Sequence, residues 1–130
     1  MFVIFIRQMD FKSNNIPTDL SECFRELRLI MSNSADEEWF KNSNEDEVII
    51  ATHHGLGEYI RTNWGLWTKK DKLYSYLNKL GLWHADDMST FILRSFHRLL
   101  NNRELDLNQQ IEVFIEHWKE HEKKHGPIKK

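Results

Sequence analysis

The chain has 130 residues, of which 40% are apolar and 29% are charged, and its formal net charge is −2. These values exclude a disordered polymer, a collagen-like chain and a basic nucleic-acid-binding tail protein. A chain of this length fits one domain and buries roughly two thirds of the surface that its unfolded form exposes. Because it contains only five Gly and two Pro, a many-stranded sandwich or barrel, which needs frequent turns, is disfavoured.

The single cysteine and the N-terminal segment indicate the cellular setting. Cys23 has no second cysteine to pair with, so neither a disulfide nor a cysteine-based zinc site is expected, and a reducing compartment is the simplest setting. The apolar run at residues 1–6 is shorter than a signal-peptide core, and no window approaches the ~20 apolar residues of a membrane span. We therefore predict a cytoplasmic protein with no membrane partner. Three interpretations of residues 1–6 stay open from the sequence: a short strand, a hydrophobic arm, or an extension upstream of a true start at Met9.

Apolar residues recur at helical spacing along most of the chain. The pattern predicts a single compact all-α domain of five or six helices, with no strand after residue 10. The predicted helix starts lie near the Pro17–Asp19 signal, at Ser34, near Ser43 or Asn44, near Lys69, around His84 and at Asp106. The third helix is expected to continue as one element to about Gly65. Gly81 and Gly126 are expected to end the fourth and last helices.

Composition divides the chain into an N-terminal extension or arm at residues 1–15, a helical domain at residues 16–119 and a basic tail at residues 120–130. Charge is segregated along it. Residues 34–47 carry six acids against one Lys, and residues 119–130 carry five Lys against two Glu. Such runs are usually solvated surfaces, although either could serve as an electrostatic docking site for a partner.

Two motifs resemble a zinc site and a dinucleotide-binding site, but the residues in and around them argue against both functions. His121–His125 matches the H-E-x-x-H pattern of zinc proteases, but its two inner residues are lysines and only five residues follow it. Gly55 and Gly57 begin a dinucleotide-binding fingerprint, but Ile60 stands where the third glycine belongs. We therefore predict no catalytic residue, no metal site and no cofactor.

The predicted third helix carries polar side chains opposite its apolar face. His54, Glu58 and Arg61 would share that face. Glu58 and Arg61 either form an exposed ion pair, or His54 and Arg61 line a polar cleft. Trp64 and Trp67 follow, and they either close the core or provide stacking walls for a planar ligand.

The predicted fifth helix repeats this pattern. Asp87, Arg94 and Arg98 lie along one side of it, with His97 and Asn101 beside them. This side is either a solvated polar surface or a face that contacts a ligand or partner.

Three strings resemble the signatures of an uncharacterised bacterial domain family. They are LGEYIRTNWGLW at residues 56–67, LGLWHADDMS at residues 80–89 and ILRSFHR at residues 92–98. Members of that family read L-G-x-x-I-R-N-N-W-G-L-W, H-P-D-D-M-S and I-L-x-S-Y-H-R. The opening Ile16–Leu20 and the closing Leu107–Lys119 also resemble it, so the resemblance covers about residues 16 to 119.

The chain departs from the family pattern at Ala85, where the family has Pro, and at residues 68–71, where it has a Gly/Ser-rich turn. The second departure argues against a phosphate-cradling loop. The resemblance implies a set of polar signature positions on the third helix, the 82–87 loop and the fifth helix. If these elements pack together, the polar groups could converge on one cleft. Besides the candidate ligand-binding residues named below, the set includes Asp86, Ser89 and Ser95.

The leading prediction is a non-enzymatic binding module whose cleft takes a small anionic or planar ligand, such as a nucleotide. The predicted ligand-binding residues are His54, Arg61, Asn63, Trp64, Trp67, His84, Asp87, His97 and Arg98. An alternative is a protein-interaction factor, such as an immunity or anti-defence protein, that binds one protein partner through the acidic segment or the basic tail. A second alternative is an enzyme that uses His84 or His97 with Asp86 or Asp87 for acid–base chemistry. No nucleic-acid partner is expected.

Overall fold

The computed structural model describes residues 15–32 and 34–130, so the start at Met9 and nearly all of the predicted arm lie outside the described residues. The described chain is all helical, which confirms the predicted fold class. Its seven helices are α1 (Leu20–Met31), α2 (Ala35–Asn42), α3 (Glu45–Thr52), α4 (Leu56–Asn63), α5 (Lys72–Leu80), α6 (Ala85–Leu100) and α7 (Leu107–His125). The division into arm, domain and tail stays a prediction.

The predicted number of five or six helices is wrong because the expected third helix is two helices. α3 ends at Thr52, and the N–H of Gly55 donates to the Thr52 carbonyl at 3.1 Å in a tight turn. Gly55 has φ −107° and ψ −94°, outside the helical region. The periodicity concealed this break because both helices bury apolar residues in the same core, Val48 from α3 and Ile60 from α4.

Most helix ends lie near the predicted residues. Ser34 and Asn44 cap α2 and α3, accepting hydrogen bonds from backbone N–H groups three and two residues later, at 3.1 and 2.9 Å. Gly81 ends α5 with a φ of 122°, a conformation that favours glycine. Asp106 precedes the first residue of α7, as predicted, but it has a left-handed φ of 50° and its side chain makes no capping hydrogen bond.

α6 is the central helix and packs against α1, α2, α3, α4 and α7. Opposite a polar side that holds Asp87, Thr90, Arg94 and Arg98, its buried residues cover most of the helix circumference, as expected for a central helix. They are Ala85, Met88, Ser89, Phe91, Ile92, Leu93, Ser95, Phe96 and His97.

No helix within residues 15–32 and 34–130 has both the length and the apolar character that crossing a membrane requires. The cytoplasmic location stays a prediction. Cys23 is a free thiol in the core, and burial raises its pKa well above the usual value, so it behaves as a small apolar side chain.

Candidate functional site

The predicted ligand-binding residues are spread along the domain. Three lie near the first turn of α6, two near its last turn, two in the interior and two on exposed parts of the α3–α4 region. In that order they are Trp67, His84 and Asp87; His97 and Arg98; Arg61 and Trp64; and His54 and Asn63. His84 and His97 are thirteen residues apart, or about 20 Å along the helix axis. The structure therefore places five of the nine candidates at the two ends of α6 and the other four elsewhere.

Arg61 is buried, with only 2% of its side chain exposed, so it does not lie on the solvent face that the helical spacing predicted. Its Nη1 donates to Ser89 Oγ at 2.8 Å, and its Nη2 donates to the His53 carbonyl at 2.9 Å and to Glu58 Oε1 at 3.1 Å. Its Nε lies 3.4 Å from Asp86 Oδ1. This side chain therefore joins α4 to the α3–α4 turn and to α6.

Gly57 makes room for the guanidinium. A Cβ atom added at Gly57 would lie 3.0 Å from Arg61 Nη1 and 3.1 Å from the Thr52 carbonyl oxygen. The close approach that this glycine suggested is thus made by a side chain and a backbone of the same chain. At the outer edge, hydrogen bonds from Thr62 and Arg61 lower the pKa of the exposed Glu58 carboxyl.

Aromatic rings and imidazoles gather where the first turn of α6 meets α7. The His84 ring stacks on Trp118 with centroids 5.9 Å apart and planes 16° apart. Trp67 and Trp83 stand edge-on to His84 at 6.1 and 5.3 Å. His121 lies 5.3 Å from Trp118. We call these five side chains the aromatic face.

Local backbone contacts position the aromatic face. Leu66 is buried and its N–H donates to the Arg61 carbonyl at 3.1 Å, which anchors the loop that carries Trp67. The Trp67 side chain is half exposed, at 50%. His84 caps α6 because its Nδ1 accepts from the Asp86 N–H at 3.0 Å, so the ring proton belongs on Nε2.

Asp87 holds α7 against this face. Its Oδ2 accepts from Trp118 Nε1 at 2.8 Å. Burial raises the pKa of the Asp87 carboxyl, and the hydrogen bond from Trp118 offsets only part of that effect. The negative charge of the carboxylate therefore destabilises the folded state, whereas the hydrogen bond that its oxygen accepts from Trp118 stabilises it.

This division of roles predicts opposite behaviour for two substitutions at Asp87. Asp87→Asn keeps an acceptor for the indole and removes the charge, so its free energy of unfolding at neutral pH stays within about 1 kcal/mol of the wild type. Asp87→Ala leaves the indole N–H without a partner and loses about 1–2 kcal/mol. Because the pKa is raised in the folded state, the wild type becomes less stable relative to Asp87→Asn as pH rises. Urea unfolding across pH measures both effects, and equal losses in the two variants would contradict them.

A second polar cluster surrounds Glu45, the first residue of α3. Arg94 Nη1 donates to Glu45 Oε2, Arg98 donates through Nε and Nη2 at 2.9 and 3.0 Å, and Arg103 Nη1 donates at 3.0 Å. We call these four residues the Glu45 clamp. Burial alone would raise the pKa of Glu45, but hydrogen bonds and charges from Arg98 and Arg94 outweigh it and lower the pKa to about 2. A polar cavity of about 570 Å³ adjoins the clamp.

His97 and Arg98 contribute to this end of α6 as internal contacts. His97 is 4% exposed and its Nε2 lies 2.8 Å from the Ser43 carbonyl oxygen, to which it donates. Arg98 Nη1 donates to the Leu105 carbonyl at 2.8 Å. Glu45 and Asp46, two of the six acids in residues 34–47, pair with arginines of the same chain. A protein partner for the acidic segment stays a prediction.

Sequence patterns miss four residues that define these clusters. They give no role to Trp83 or Arg103, place Trp118 on the buried side of the last helix and count Glu45 only as part of an acidic segment. Trp83 and Trp118 are half-buried, with ring centroids 4.9 Å apart. The adjacency of Trp83 to His84 was the available signal for the first. Nothing local predicts that Glu45 meets Arg98, 53 residues away.

Comparison with protein families matches most of the described chain to one family. A family model described as a domain of unknown function, DUF6794, matches residues 16–100. The chain belongs to this family. The DUF6794 match contains α1 to α6, including the Arg61 network and the contacts of Arg94 and Arg98 with Glu45. Helix α7, with Trp118, lies beyond the matched residues. No curated protein and no solved structure was found to match the chain.

Proposed function

We propose that this DUF6794 protein is a non-enzymatic binding module whose aromatic face takes a planar, nucleotide-like ligand. The half-exposed indole of Trp67, held edge-on to His84, carries the proposal. An exposed indole on an anchored loop offers a flat apolar surface at low entropic cost. Stacking of a base on such a ring contributes about 1–3 kcal/mol.

A lysine beside the aromatic face favours an anionic ligand. Lys130 Nζ lies 6.0 Å from the centroid of the Trp83 ring. His121 adjoins Trp118, as described above. A phosphate on the ligand could therefore be met by a lysine or an imidazole while its base stacks on Trp67.

The acid–base groups of the enzyme alternative already have other roles. His84 Nδ1 caps α6, and His97 Nε2 donates to the Ser43 carbonyl. Asp86 Oδ1 lies 3.4 Å from Arg61 Nε, and Asp87 Oδ2 accepts from Trp118. A general base needs a basic atom that can reach a substrate proton. The geometry thus favours binding over catalysis.

Titration of the protein with AMP, with binding detected by saturation-transfer difference NMR, tests the proposal. We expect transfer to the adenine protons and an affinity about tenfold lower in Trp67→Ala, since one stacking contact is lost. Ile50→Ala is the matched control, because Ile50 is 76% exposed on α3, a helix that contributes no side chain to the aromatic face. It should bind AMP like the wild type. Absence of saturable transfer, or equal affinity of wild type and Trp67→Ala, would overturn the proposal.

A further inference from the structure

A second cavity, separate from the aromatic face, lies between α6 and α7. Its volume is about 410 Å³, within the range of small-molecule sites. Thr90, Arg94 and Arg98 form its α6 wall, and Gln110, Val113 and Phe114 form most of its α7 wall. Because the α6 residues are spaced by four, they line one side of the helix.

The α6 wall offers an available cation. Arg94 Nη1 is occupied by Glu45 and Asp46, but among the described residues no partner contacts its Nε or Nη2. The Arg94 side chain is 25% exposed. Arg98, by contrast, uses all three of its nitrogens on Glu45 and Leu105. Arg94 therefore presents donors that match a carboxylate.

The α7 wall combines a buried acceptor with apolar surface. Gln110 is 6% exposed, and its Nε2 donates to Ser95 Oγ at 3.0 Å and to the Leu105 carbonyl at 2.9 Å. Its Oε1 is buried with no donor in the described part of the chain. Buried polar atoms are normally satisfied, so a ligand N–H or O–H is a fitting partner. Val113 is 64% exposed and Phe114 is half-buried, so both can contact an apolar body.

We propose that this α6–α7 groove binds a small aromatic hydroxy acid. Arg94 would hold the carboxylate, Val113 and Phe114 would contact the ring, and Gln110 Oε1 would accept from the hydroxyl group. The cavity is lined by a cation, an apolar surface and a hydrogen-bond acceptor. The carboxylate, the ring and the hydroxyl group of such a ligand match these three in turn. The proposal is independent of ligand binding at the aromatic face.

Titration of the ¹⁵N-labelled protein with 4-hydroxybenzoate tests this assignment. We expect saturable shifts of the Thr90, Arg94, Gln110 and Val113 amides and of the Gln110 side-chain amide. The neutral analogue 4-hydroxybenzamide should bind about tenfold more weakly, because it loses the charge-assisted contact with Arg94. Shifts centred on Trp67 and His84, no saturable shift, or equal binding of the two probes would each overturn the proposal.

Variants separate the groove from a structural role of its arginine. Arg94→Gln should bind 4-hydroxybenzoate about tenfold more weakly. Gln109→Glu places a negative charge at the groove from an exposed position that does not touch Glu45, so it should weaken binding even if Arg94→Gln fails to fold. Arg25→Gln, at a 66% exposed side chain on α1, is the matched control and should bind like the wild type. Unchanged binding by Gln109→Glu would overturn the proposal.

Discussion

Replacing Arg61 by methionine lowers the free energy of unfolding by about 3 kcal/mol, because it removes three hydrogen bonds and the ion pair with Asp86 from a buried side chain. Methionine fills much of the same space but cannot donate to Ser89 Oγ or to the His53 carbonyl, both of which then lose a partner at a buried site. The loss lies at the lower end for buried ion pairs because Asp86 and Glu58 are about half exposed and can turn to water.

Urea unfolding followed by tryptophan fluorescence measures this loss. Arg25→Met is the matched control, since Arg25 is 66% exposed and its ion pair with Glu22 is 4.0 Å long. We expect that control to change stability by about 0.5 kcal/mol or less. The loss in the free energy of unfolding for Arg61→Lys should lie between those for Arg61→Met and Arg25→Met, because one ammonium group cannot reach all of the acceptors. Equal stability of Arg61→Met and Arg25→Met would show that the guanidinium does not hold the buried network.

Glu45→Gln destabilises the protein by about 2 kcal/mol at neutral pH. The folded-state pKa of about 2, against a usual value of 4.5, corresponds to about 3 kcal/mol by linkage, and solvent screening of the clamp reduces it. A lowered pKa adds stability that is fully present above the unfolded-state pKa. That stability is lost as pH falls from about 5 to about 2, because the carboxylate that binds the arginines is protonated.

The measurement compares wild type and Glu45→Gln across that pH range, with Glu47→Gln as control. Glu47 occupies the same first turn of α3 and is exposed, so it shares the helix-dipole contribution of Glu45 but none of its arginine contacts. The stability difference between wild type and Glu45→Gln should vanish by about pH 2. A difference that persists unchanged in acid, or an equal effect at Glu47, would contradict the role assigned to the carboxylate.

Sequence patterns predicted the elements of this fold well wherever the cause was local. Ser34 and Asn44 mark helix starts because their side chains bond to backbone groups two or three residues away. Gly81 marks a helix end through its own conformation. The break at Gly55 escaped detection because apolar periodicity reports which side is buried and not whether the helix is continuous.

The polar contacts were less predictable because they depend on tertiary packing. Arg61 was expected on a solvent face, since spacing alone places a charged residue opposite the apolar stripe. Its burial requires the break before α4, the missing side chain at Gly57 and an acceptor on Ser89, 28 residues away. The sequence names Trp67 and His84 as ligand-binding residues, which stays a prediction, and only the fold shows that their rings meet.

The Arg61 network and the Glu45 clamp also fix the spacing of their contact residues along α6. Ser89 accepts a hydrogen bond from Arg61, and Arg98, nine residues further along α6, donates to Glu45. We call these two contacts the anchors. Inserting or deleting one residue between them would turn one anchor by about 100° and move it by about 1.5 Å relative to the other. Adding two full turns would nearly restore the angle but displace the anchors by about 10 Å. Between Ser89 and Arg98, α6 should therefore tolerate substitutions at other positions better than insertions or deletions.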